Sequence, residues 1–365
     1  MQGVITSLAP LSWASLAILT RKRYDFLLHE YGDLECAWNH LNRSLLQKLG
    51  CKEQTIERVL TAIQDLKIEE ATRTLEERGI TFLTIEDEAY PENLRNIPDP
   101  PVFLFARGDL SLLSQPSIAL VGTRGMSSYG KRVVQALVPD LVSAGLTTVS
   151  GLALGIDAEV AKETMRAGGK TVAVLGHGLQ SIYPRKNVKI AEEIIHNDGL
   201  LLTEYPLGVT PDTFTFPARN RIIAGLTLGT VVIEAASQSG SLITASLALE
   251  YGREVFAVPG QIFDANFSGT HEIIGKGGAK LIQNAEDILR ELGMRVPEGE
   301  KVSCYRAQTP DEKTLLASLS PLPQSVDDLI EKSELSASVV NATLTLMELK
   351  GGAKNLGSGM WVLNT

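Results

Sequence analysis

The chain has 365 residues, 44% of them hydrophobic and 21% charged, with a formal net charge of −9. That length supports two or three domains with proper cores, and no apolar run reaches the ~18 residues a membrane span needs. The acidic balance argues against a uniformly basic nucleic-acid binder but leaves room for a local positive groove on an acidic body.

The opening stretch, MQGVITSLAPLSWASLAILTRKRYDF, is mildly apolar and lacks the basic start of a signal peptide, so it reads as a helix of the first domain. Residues 1–78 carry helical periodicity, with apolar positions at Leu45, Leu46, Leu49, Ile56, Val59, Leu60 and Ile63 and a turn at Leu49-Gly50-Cys51. A helix-hairpin-helix or SAM-like unit and plain helical packing both fit this domain, and the full glycine pattern of the hairpin motif is missing. Cys36, Cys51 and Cys304 are few and widely separated, which fits a reduced, cytoplasmic setting. Neither they nor His29, His40, His177, His196 and His271 show the spacing of a zinc site, and no metal or cofactor is expected.

Residues 79–294 form the expected core. Its first part, to residue 109, holds the strand-like ITFLTI and a proline-rich run, read as an ordered connector. From Ser117 short apolar strands alternate with helical segments: SIALVG, TTVSG, TVAVLG, GLLLTEYP, TVVIEA and EVFAVPG. This is the pattern of an α/β fold, a doubly wound, Rossmann-like parallel sheet whose ligands bind beyond the carboxyl ends of the strands. Those ends supply Gly122-Thr123-Arg124, Ser150-Gly151, Gly155-Ile156-Asp157, Gly176-His177-Gly178, Glu204, Glu234 and Pro259-Gly260. VGTRGMSSYG matches no register of the dinucleotide fingerprint, and there is no P-loop, so nicotinamide chemistry and P-loop hydrolysis rank low.

The richest stretch runs from Phe214 to Ala248 and reads as a loop, a short helix, an apolar strand and a Gly/Ser turn opening another helix. Arg219-Asn220-Arg221 offers forked donors for phosphate oxygens. Ser239-Gly240-Ser241 places N–H groups and hydroxyls where a helix start would hold an anion. Phe214 and Phe216 add rings suited to base stacking. Together they point to a nucleotide or nucleic-acid site.

Residues 295–310 are polar and proline-bearing, a plausible linker, and residues 311–365 read as three helices and a β-hairpin, the layout of a winged helix. Its would-be recognition helix, SASVVNATLTLMELK, has no basic side chain before Lys350. From Arg306 onward five basic residues face seven acidic ones, unlike a major-groove reader; protein contact or a structural role fits better.

Taken in order, YPENLRNIPDPPVFLFARG, SIALVGTRGMSSYG, VSGLALGID, TVAVLGHGLQSIYPRKN, LLTEYPLG, FPARNRIIAG, VVIEAASQSGSLITA and GREVFAVPG resemble the DNA-processing protein A family, DprA/Smf. They span about Tyr90 to Asp287 and are highly specific as a set. The resemblance implies a Rossmann-like core that binds single-stranded DNA without sequence preference, dimerises and hands the strand to a RecA-type recombinase in natural transformation. No nucleophile–base pair is evident and no paired acids share one short motif, so no catalysis is expected. Carried onto this chain, the resemblance places Arg124 on phosphate and Phe216 against a base. Arg219 and Arg221 fall on the DNA backbone or on the loop's shape, Arg185 and Lys186 on the strand, and Asn220 on loop order. Where many relatives carry an arginine and a histidine, this chain has Leu154 and Ala161.

Two other readings stay open. One is a nucleotide or nucleoside-phosphate hydrolase of a related Rossmann-like family, with Glu234 as its surviving carboxylate. In that family's glycine-rich segment, however, this chain reads PARNRIIAG. The other is a scaffold whose winged helix recruits partners.

Overall fold

The computed structural model describes residues 8–296, 305, 307–320 and 322–363, and they divide into two compact units, Met1–Pro297 and Glu298–Thr365. The expected start of the first helix and most of the expected linker, with Cys304 and Arg306, lie outside the described residues.

The first unit opens with six short helices: α1 (Ala9–Leu16), α2 (Arg21–Tyr31), α3 (Leu34–Asn39), α4 (Arg43–Lys48), α5 (Glu53–Gln64) and α6 (Ile68–Glu77). Side-chain oxygens of Thr20, Asp33 and Asn42 accept the free N–H groups at the starts of α2, α3 and α4. Gly50, at φ +69°, makes the turn between α4 and α5 that the sequence marked. The faces these helices bury, including Trp13, Leu27, Leu46, Ile56 and Val59, are continuous with the core of the sheet that follows.

The rest of the unit alternates strand and helix. In chain order it holds β1 (Ile80–Thr84), α7 (Glu92–Arg95), β2 (Phe103–Gly108), β3 (Ser117–Gly122), α8 (Ser128–Ser143), β4 (Thr147–Ser150), α9 (Ile156–Arg166), β5 (Thr171–Val174), α10 (Val188–His196) and β6 (Leu200–Thr203). It continues with α11 (Thr215–Leu226), β7 (Gly229–Glu234), α12 (Gly240–Glu250), β8 (Glu254–Ala257), α13 (Ser268–Gly275), β9 (Lys280–Leu281) and α14 (Ala285–Glu291). The nine strands form one sheet in the order β1-β2-β6-β5-β4-β3-β7-β8-β9. All pairings from β6 to β9 are parallel.

Two expectations are corrected here. The stretch read as a connector supplies two strands, because β1 pairs antiparallel with β2 and β2 antiparallel with β6, extending the sheet by one edge hairpin. The arginine triplet lies not in a loop but inside α11. Pro217 is the third helical residue, where no intrahelical N–H bond is needed, so it does not break the helix.

Alternation along each strand separates the two layers. Ile118, Leu120, Val231, Ile233 and Phe256 pack with α8 and α14, while Ala119, Val121, Val232 and Val255 pack with α11, α12 and the N-terminal helices. On α11, Ile222 and Ile223 are fully buried, each worth about 1.5–3 kcal/mol, which seats the helix firmly against the sheet. The chain winds outward from β3 through β4, β5 and β6, then returns to the other side of β3 for β7, β8 and β9. The crevice between the carboxyl ends of β3 and β7 is therefore the topological switch point.

The second unit holds α15 (Pro310–Ser318), β10 (Gln324–Ser325), α16 (Val326–Ser333), α17 (Ala337–Leu349), β11 (Ala353–Gly357) and β12 (Met360–Leu363), with the strands ordered β10-β12-β11. Reciprocal capping boxes, Thr309 with Glu312 and Ser325 with Asp328, start α15 and α16. Leu315, Leu329, Val340, Leu344, Met347 and Trp361 form its core. This is the winged helix that the segment predicts.

Candidate nucleic-acid interface

A cavity of about 520 Å³ opens at the switch point, lined among others by Thr123, Arg124, Tyr183, Phe216, Asn220 and Ser239-Gly240-Ser241. Five widely separated segments meet there because β3, β4, β5 and β7 are neighbours in the sheet and α11 crosses above their ends. Arg124 is exposed on the turn after β3, and its guanidinium lies over the Phe216 ring, 5.5 Å from the centroid. Among the described residues no carboxylate lies within ion-pair distance of it. A cation held this way costs the site no paired acid and stays open to an anion.

The side chains below Arg124 build the floor. Asp157, in the first turn of α9, accepts the N–H groups of Gly151 (2.9 Å) and Ala153 (3.3 Å) and so anchors the loop after β4. Asn187 donates to the carbonyls of Leu152 (2.9 Å) and Ala153 (3.1 Å) from the other side. Between these anchors Leu152 sits in the left-handed region at φ +53°, fully buried. A Cβ on Gly151 would stand 2.2 Å from the Arg219 guanidinium, and one on Gly155 (φ +78°) 2.3 Å from the Thr123 carbonyl. Only glycine lets the loop pass beneath the arginine and beside the β3 turn.

Arg219 lines the cavity but is only 5% exposed and donates to the Val174 carbonyl. Burial pulls its pKa down to about 10, with the nearby Asp157 charge acting against that. Burial likewise pushes Asp157 up, countered by Arg219 and the loop N–H groups. Each charge thus offsets part of the other's burial, while the hydrogen bonds each makes are to backbone groups. Arg221, two residues on, faces a separate cavity of about 350 Å³ beside α1 and α2. There it binds the Glu204 carboxylate at 2.5 Å and lies 3.6 Å from Asp99. Burial raises the Glu204 pKa and Arg221 offsets it. The arginine triplet is thus divided by the helix: side chains at 219 and 221 point to different sides, and Asn220 spans between α11 and the Gly240 carbonyl at 3.3 Å.

Ser239 caps α12, its hydroxyl accepting the Ser241 N–H at 3.4 Å and meeting the Ser241 hydroxyl at 2.7 Å. Phe214 is 83% exposed at the start of α11, outside the cavity lining. Arg185 and Lys186 are exposed on a single 3-10 turn, also beyond the lining but separated by Pro184 alone from Tyr183, which does line it. Tyr183 was missed by sequence reasoning, which attended to the cations of YPRKN; its place two residues before Arg185 was the available signal.

Glu234 ends β7 fully buried. One oxygen accepts the Ser127 N–H at 3.1 Å, at the start of α8, and the other has no partner. Its own carboxylate thus fills the helix start where a Rossmann-like fold would place a phosphate, and it does not line the cavity. Ala161 is also buried, so this departure from the family pattern concerns packing rather than groove charge. No group of metal-ligating side chains occurs among the described residues, and no helix among them is long and apolar enough to cross a membrane.

A family model described as DNA recombination-mediator protein A matches residues 81–293, and one for the DprA winged helix domain matches residues 305–359. The chain is 46% identical to DNA processing protein DprA of Bacillus subtilis over 220 residues, covering 60% of this chain and 73% of that protein. The X-ray structure of DNA processing protein A from Streptococcus pneumoniae aligns with a TM-score of 0.66 at 36% identity, covering 80% of this chain and 99% of that one. DNA processing protein A from Helicobacter pylori, which binds single-stranded DNA, aligns with a TM-score of 0.53 at 33% identity over 58% of this chain and 95% of its own. From its sheet-end cavity to its winged helix, this chain belongs to the DNA recombination-mediator protein A family.

Proposed function

We propose that the cavity at the β3/β7 crevice binds single-stranded DNA without sequence preference. The strand would be protected there and passed to a RecA-type recombinase during natural transformation, with no chemical turnover. The observation that carries this is the meeting of Arg124, Phe216, Asn220 and the Ser239-Gly240-Ser241 turn around one open cavity. Arg124 supplies the phosphate contact, Ser239-Gly240-Ser241 presents hydroxyls and N–H groups beside it, and Arg185 and Lys186 extend the positive rim. Arg219 and Arg221 act through the shape of α11. Family membership and the single-stranded-DNA-binding relative favour the same reading. A homodimer in the cytoplasm is part of it, and the free Cys36 and Cys51 thiols accord with that compartment.

Fluorescence anisotropy of labelled oligo-dT across a salt series tests the proposal. Wild type binds with affinity that falls as salt rises, and each phosphate contact contributes about −0.7 to the logarithmic slope. Arg124→Glu lowers affinity by about tenfold or more and flattens the slope by roughly one contact, while Phe216→Ala weakens binding without changing the slope. Absence of wild-type binding at low salt refutes the proposal.

A further inference from the structure

Tyr183 rides on the loop between β5 and α10, which is fixed at both ends. The His177 imidazole is 1% exposed, and its Nε2 accepts the Tyr183 N–H at 3.3 Å. The ring proton therefore sits on Nδ1, which donates to the Gly178 carbonyl at 3.0 Å. At the far end Asn187, 3% exposed, ties the loop to the chain after β4. A side chain on such a loop is preorganised, yet Tyr183 is 46% exposed while lining the cavity.

Its ring lies 5.8 Å from that of Phe216 at an interplanar angle of 36°. Ring pairs in contact stand roughly 4.5–7 Å apart, so the two rings touch and admit no base between them. Phe216 is covered further by the Arg124 guanidinium and packs on Gly176, where an added Cβ would lie 3.1 Å from its ring. Tyr183 is left with the open ring face.

Resting on the single-strand reading of the cavity, we propose that Tyr183 is the residue on which an unpaired nucleobase stacks. Phe216 backs it as a second ring, and Arg124 beside them meets a phosphate of the same strand. The stacked ligand is a nucleobase of any type, because every base offers a π-face.

The test compares labelled oligo-dT with an abasic phosphodiester of the same length, on the full chain. Tyr183→Ala weakens oligo-dT binding by about 5- to 150-fold, leaves the salt slope and abasic binding unchanged, and Tyr183→Phe stays within about twofold of wild type. Equal affinity of Tyr183→Ala and wild type for oligo-dT overturns the proposal, as does an equal loss on both ligands. A wild type that binds neither ligand refutes the single-strand reading itself, and this inference with it. Should Tyr183→Ala not fold, photo-cross-linking of the wild type to 5-iodouracil-substituted DNA decides: an adduct on Tyr183 supports the proposal, and adducts confined to other residues overturn it.

Discussion

The sheet-end cavity and the winged helix use their cations in opposite ways. In the cavity Arg124 is exposed, balanced by an aromatic face rather than a carboxylate, and stays open to an anion. In the winged helix Lys350, the first cation after α17 begins, is spent on Glu312 at 2.7 Å, and the Glu312 side chain is only 2% exposed. Across Ala337–Leu349 the one charged side chain is Glu348, while Leu346 and Leu349 are 50% and 81% exposed. A fold known for reading DNA thus carries a helix with no cation for a phosphate, and a fold known for nucleotides carries an open arginine. Function follows where charge is left unpaired, not the name of the fold.

Several substitutions sharpen or break this contrast. The largest effect is expected from Arg219→Ala, since the cavity also holds a cation that is buried and bonded to the chain's own backbone. The variant leaves the Val174 carbonyl unpaired and Asp157 buried with less positive charge nearby, a cost on the order of 1–3 kcal/mol in denaturant unfolding. Burial already raises Asp157, and loss of Arg219 raises it further. The folded variant then takes up a proton more readily than the unfolded chain, so it should regain stability as pH falls toward the ordinary carboxylate range. A pH-independent loss would show that packing alone is at stake.

A smaller effect is expected at the winged helix. Glu312 is lowered to about 2, first by the Lys350 hydrogen bond and then by N–H groups at the start of α15. Its contribution is complete above the ordinary carboxylate range and fades as pH drops toward that value. Thermal melts of Lys350→Ala should therefore lie below wild type at neutral pH and converge with it in strong acid, with oligo-dT affinity unchanged at every pH where both are folded. A loss of oligo-dT affinity in this variant would break the comparison, because it would give the winged helix a share in DNA binding. The smallest stability effect belongs to Arg124→Ala, which should stay within about 0.5 kcal/mol of wild type in unfolding, as an exposed residue without an ion pair. A larger loss would make Arg124 a structural residue like Arg219.

Much of the architecture was legible because it depends on local periodicity. The apolar runs of β3 to β8, the caps and turns between them and the winged-helix segment all declare themselves within a few residues. Of the edge hairpin only β1 did, as ITFLTI; β2 did not, since the prolines before it speak for a connector and its partner β6 lies about a hundred residues on. Nor did the helical state of FPARNR, where Pro217 looks like a breaker until its place in the first turn is known.

The list of candidate residues came from the sequence, but their division did not. Arg124 could be named from its strand-end position, a property of topology that follows from the strand–helix pattern, whereas Phe216, Asn220 and Ser239-Gly240-Ser241 were named from their residue types. Whether a given arginine meets solvent, a carbonyl or a carboxylate depends on the rotation of its helix and on side chains from distant strands. Arg219 and Arg221 are alike on paper and differ in place because two residues on an α-helix are turned by about 200° from one another. Tyr183 gained its place only when the β5 loop folded beside α11. The sequence by itself determined the strands, the crevice and the residue types at its edge; tertiary packing decided which of them are buried, which are paired and which stay open.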